Sequence, residues 1–90
     1  MEPSFTQHHV ILYSGPESHE MEHARRFLAD RHVRYEEKNV VTHSGARGEL
    51  LHHTGKTEYP AINVDGHIVV GFFPEKWDHL LGNAANTRRG

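Results

Sequence analysis

The sequence predicts a three-layer α/β/α sandwich with the element order β-α-β-α-β-β-α and a mixed sheet. Short apolar, β-branched runs alternate with segments of helical period, which is the pattern of strands joined by crossover helices. A single Asp65-Gly66 pair separates the last two apolar runs, the signature of a two-residue hairpin. The chain has 90 residues, enough for one compact sheet with covering helices and too few for a second domain. The first β-α-β unit implies parallel pairing, and the hairpin adds an antiparallel pair.

Each element has a local reason. "HHVILYS" is apolar and stopped by Gly15-Pro16, so it reads as a buried strand near residues 8–13. From Ser18, Met21, Ala24, Phe27 and Leu28 recur at helical spacing while Glu20, Glu22, Arg25, Arg26 and Asp30 take the other faces. Ser18 suits the N-cap, and the two glutamates suit the positive end of the helix dipole. Residues 33–41, "VRYEEKNVV", alternate in their first part and predict a second strand with one wet face. Residues 44–55 read as a helix weakened by Gly45 and Gly48 and closed by Gly55 in the left-handed cap position. Strands are expected near 60–64 and 67–71, and a last helix from Pro74 to Leu81, with Pro74 in its first turn and Trp77, Leu80 and Leu81 on one face. The expected organisation is an N-terminal extension over 1–7, one domain over 8–82 and a mobile tail over 83–90.

Composition narrows the chemistry. Apolar residues make up 36% and charged residues 24%, so the core must come from a few short runs. A formal charge of −2, a pI near 6.5 and no basic block beyond Arg88-Arg89 leave no electrostatic footprint for nucleic acid or acidic lipid. The N-terminal residues lack a basic leader and no apolar window reaches membrane-spanning length, so a soluble cytoplasmic protein is expected, with neither nucleic acid nor membrane as partner. There is no cysteine, which removes disulfides, thiolate metal sites and thiol nucleophiles together.

Four segments resemble the glutaredoxin branch of the thioredoxin-like family, including the mycoredoxins, in order and in register. "VILYSGPES" is similar to the first strand and active-site loop, "VRYEEKNV" to the second strand, "GKTEYPAINVDGHIVVGF" to the cis-proline segment and hairpin, and "PEKWDHLL" to the last helix. The resemblance covers about residues 9–82 and implies a thioredoxin-like fold and a family activity of thiol-disulfide oxidoreduction in cell redox homeostasis. It also places the Cys-x-x-Cys motif on Ser18-His19-Glu20-Met21, so both cysteines are replaced. Ser18 then marks the nucleophile position, either as a Cys-to-Ser form of a one-cysteine enzyme or as a natural pseudo-enzyme. Met21 reads as helix core. Tyr13, Pro16, Tyr59, Pro60, Gly71 and Phe72 match positions that shape the family's groove, with His19 expected to face it and Lys56 to pair with a ligand carboxylate. The ligand implied is a low-molecular-weight thiol, glutathione or mycothiol, or a protein thiol or disulfide segment. No other cofactor is expected, and the chain is expected to be a monomer or, through its edge strand, a weak dimer.

A second pattern competes for the same residues. His19-Glu20-Met21-Glu22-His23 is an H-E-x-x-H, the spacing of a zinc peptidase helix. Such a site needs a third ligand and a cleft, whereas this motif begins at a helix start and has no evident third ligand. With ten histidines in the chain the motif arises readily by chance. His8-His9 and His52-His53 read as surface residues. No metal site is therefore expected, and a histidine-rich metal binder on the same fold is the remaining alternative.

Overall fold

A computed structural model describes residues 9–85, with side chains described through residue 82. The elements are β1 (Val10–Ser14), α1 (His19–Asp30), β2 (Glu36–Asn39), α2 (Ser44–Thr54), β3 (Ala61–Val64), β4 (His67–Val70) and α3 (Pro74–Ala85). The strand order is β2-β1-β3-β4, with β1 parallel to β2 and antiparallel to β3, and β3 antiparallel to β4. This is the expected thioredoxin-like arrangement.

The layers follow from the period of two in β1, whose every residue is buried because both faces of the sheet are covered. Val10 and Leu12, with Ile62 and Val64, face α1 and α3 through Met21, Ala24, Phe27, Leu28, Trp77 and Leu81. Ile11, Tyr13 and Ala61 face the other way, onto Val40 and the Ala46 and Leu50 of α2. Burying side chains of this size contributes about 1.5–3 kcal/mol each, so two small cores divided by one sheet hold the domain together. The Asp65-Gly66 turn has φ of 53° and 97°, and Asn63 Oδ1 accepts the Gly66 N–H at 2.7 Å. Gly55 closes α2 with φ 77° and donates to the Leu51 carbonyl at 2.7 Å.

Two expectations are corrected. β2 is shorter than residues 33–41, because the chain leaves α1 through His32 at φ 55° and Val33 donates to the Leu28 carbonyl at 3.0 Å. Val33 thus belongs to the helix end, and it and Tyr35 pack on the first core from outside the ladder. α3 runs on past Leu81, through Gly82, to Ala85, so residues 83–85 are helix and not tail. The Ala84-Ala85 pair favours the helical state that Gly82 alone would weaken. The expected extension over 1–7, His8 and the remainder of the tail lie outside the described residues. Among the described residues, no helix is long and apolar enough to cross a membrane.

Candidate functional site

The site is built where β1 ends and α1 begins. Ser18 has extended backbone at φ −162°, ψ 171° and caps α1, its Oγ accepting the Met21 N–H at 3.1 Å while its carbonyl accepts from Glu22 at 3.0 Å. The cap is exposed, and Pro16, Glu17 and His19 around it are exposed too. A group at this position feels the unpaired N–H groups and positive dipole end of the helix, which favour an anion. A hydroxyl does not ionise there without a base. Among the described residues, Ser18 Oγ has no hydrogen-bond partner beyond the Met21 N–H. Met21, directly behind it, is fully buried in the first core.

The loop carrying Ser18 is held from two sides. Gly15 lies under the Tyr59 ring, so that a Cβ at Gly15 would stand 2.6 Å from Tyr59 Cζ. The Tyr59–Pro60 bond is cis, and the Pro60 carbonyl accepts from Gly71 at 2.7 Å. Gly71, at φ 96°, carries the Phe73 ring over its Cα, and its carbonyl accepts from Trp77 Nε1 at 2.9 Å. Tyr59 and Phe73 remain exposed, while Pro60 is buried. Gly15, where the Ser18 loop begins, Tyr59-Pro60 and Gly71 are thereby linked into one neighbourhood.

On the other side stands Arg25, which sequence reasoning left as a solvated helix residue. Its guanidinium reaches Glu17 at 2.8 Å and forks onto the Glu37 carboxylate of β2 at 3.1 and 2.8 Å. Hydrogen bonding from Arg25 holds the Glu37 carboxyl below its ordinary range; burial opposes the shift and the nearby Ser14 hydroxyl assists it. That hydroxyl lies close to the carboxylate without completing a bond, and is a buried side-chain oxygen left without a partner. The Arg25 proton is bound more firmly still, first through Glu37. No local spacing announces this clamp, since its three members come from a loop, a helix and a strand.

Two of the expected groove residues turn toward the core, Tyr13 wholly and Phe72 in part. Tyr13 has no exposed surface; its ring belongs to the core under α2, and its hydroxyl accepts from Asn63 Nδ2 at 3.5 Å. Burial raises its pKa, with Asn63 pulling the other way and the Glu49 and Glu36 charges adding to the rise. Phe72 points into an aromatic cluster, with ring centroids 5.6 Å from Phe27 and 4.9 Å from Trp77. Lys56 is exposed, and among the described residues no carboxylate pairs with it. Phe73, the exposed aromatic, stands next to Gly71 where Phe72 was expected, with Lys76 Nζ 5.0 Å from its centroid. His19 and His23 are both exposed on α1, and the described residues contain no group of three or more His, Asp or Glu placed to share an ion.

Residues 10–69 match the protein-family model described as Glutaredoxin. The chain is 27% identical over 72 residues to an uncharacterized glutaredoxin-like 8.6 kDa protein in the rubredoxin operon of Clostridium pasteurianum, covering 80% of this chain and 96% of that one. Among solved structures, the thioredoxin-like protein BC3987 superposes with a TM-score of 0.74 at 31% identity, over 79% of this chain and 97% of that one. A glutaredoxin from Archaeoglobus fulgidus superposes at 0.71 with 17% identity, covering 80% and 84% of the two chains, a likeness of fold.

Proposed function

The chain belongs to the glutaredoxin family, and from that premise we propose that it keeps the family's binding groove while standing outside its redox chemistry. The ligand class is a low-molecular-weight thiol such as glutathione or mycothiol, or an extended protein segment bearing a thiol or disulfide. Ser18 carries this reading. It stands at a helix N-terminus, the environment that lowers a cysteine's pKa and makes a thiolate. Its oxygen serves as the cap of α1, and an alcohol forms no disulfide. With no cysteine anywhere in the sequence, neither a mixed nor an internal disulfide can form on this chain. The Tyr59 ring over Gly15, the cis Tyr59–Pro60 bond and the Gly71–Pro60 hydrogen bond support retention of the groove, with Pro16 and His19 exposed on the loop side.

Two origins share this site: a Cys-to-Ser form of a one-cysteine enzyme, and a non-catalytic thiol- or peptide-binding module. Ser18→Cys distinguishes them. For the first, the variant should reduce a glutathione or mycothiol mixed disulfide while the unaltered chain does not; an inert, folded variant would rule it out. Titration of the unaltered chain with reduced glutathione, reduced mycothiol and a thiol peptide should shift amide resonances at 15–19, 59–61 and 71–73. Flat titrations with all three would remove the binding reading.

A further inference from the structure

α2 opens on a histidine. His43 has extended backbone at φ −119°, ψ 97°, and its Nδ1 accepts the Ala46 N–H at 3.1 Å, sharing it with the His43 carbonyl at 3.1 Å. Gly45 makes room for the ring, since a Cβ there would stand 3.2 Å from His43 Cε1. An imidazole nitrogen accepts only when it carries no proton, so this cap exists in the neutral Nε2–H tautomer. A protonated ring would turn a second N–H toward the Ala46 N–H and place a cation at the positive end of the helix dipole. The Asn39 side chain, whose residue accepts the His43 N–H through its carbonyl at 2.9 Å, is already engaged, because its Oδ1 accepts from Val41 at 2.8 Å and Thr42 at 3.1 Å.

We propose that His43 makes the first turn of α2 a pH-responsive latch, closed by the neutral imidazole and opened in acid. The charged and titratable groups around α2 do not compensate. Arg47, one turn along the helix, is a further cation, and Lys38 of β2 is engaged with Glu49 at 3.5 Å. Glu37, on the α1 face of the sheet, is taken by Arg25, Glu36 lies 3.7 Å from His9, Tyr13 of β1 is buried, and β4 turns the apolar Ile68 and Val70 toward α2. Among the described residues no carboxylate pairs with the His43 ring. The latch matters for the rest of the molecule because Ala46 and Leu50 seat α2 on the sheet, and Gly55 and Lys56 lead from its far end toward Tyr59-Pro60.

His52 and His53, in the last turn, favour the helix when they charge, so a melting temperature would mix opposite effects. The test therefore reads the first turn directly, by NMR of the full chain. At pH 8, long-range proton–nitrogen correlations should find His43 in the Nε2–H tautomer. Amide-exchange protection of Ala46 and Arg47, divided by that of His43→Asn, whose cap does not titrate, should fall about fivefold between pH 8 and pH 5, the worth of one cap. The Nδ1–H tautomer at pH 8, or a ratio equal at the two pH values, overturns the proposal. The tautomer is measured on the unaltered chain and decides the matter even if the variant fails to fold.

Discussion

Replacing Glu37 by Gln tests the clamp that ties α1 to β2 beside the Ser18 loop. The fork has contacts of 3.1 and 2.8 Å, and the two side chains are 31% and 32% exposed, so solvent screens it substantially. Partly exposed pairs are worth about 0.2–1 kcal/mol, with forked geometry at the upper end, and a glutamine keeps one neutral hydrogen bond; the loss is therefore about 0.5–1 kcal/mol. For a domain of this size that corresponds to a melting temperature lower by roughly 2–8 °C at pH 7. The sign with pH follows from the lowered carboxyl pKa. Its stabilisation is fully present above the unfolded glutamate value of about 4.3, and is lost as pH falls through the folded value. Thermal melts of both proteins followed by circular dichroism from pH 7 to pH 3 should converge at the acid end. An undiminished gap at pH 3, or identical melting at pH 7, would refute the reasoning.

Trp77→Phe removes the indole N–H from the Gly71 carbonyl and part of a fully buried ring; chemical denaturation should register a loss of about 2–4 kcal/mol. Loss under 1 kcal/mol would mean that Gly71 is held by its bond to Pro60 alone. Gly15→Ala should displace the Tyr59 ring, because the added Cβ would overlap it, and the penalty should largely vanish when Tyr59→Ala is added. Additive penalties in that double-mutant cycle, measured by thermal melts, would show that the two residues do not press on one another.

The strands and helices were legible because each obeys a local period: β1 as an apolar run, α1 as a stripe capped by Ser18, the hairpin as Asp65-Gly66, α2 closed by Gly55. The sheet order followed from the same succession, since few topologies accommodate it. Errors fell at the ends of elements, where capping geometry decides the boundary. Val33 and Tyr35 alternate like a strand, yet the left-handed turn at His32 ties Val33 to the end of α1, and both pack on the first core outside the ladder. Helix α3 continues through Gly82, past its expected end at Leu81.

The site divides along the same line. The loss of thiol chemistry is a property of composition, readable without coordinates, because no arrangement of a chain lacking sulfhydryl groups can make a disulfide. Which face each aromatic presents depended on packing across the sheet: Tyr13 goes to the core beneath α2, Phe72 to Phe27 and Trp77, and Phe73 to the exposed side of Gly71. The Arg25 clamp and the His43 cap were decided there as well. The first joins residues from three separate elements, and the second depends on which nitrogen of one ring meets one N–H, a matter of orientation that residue order does not encode locally.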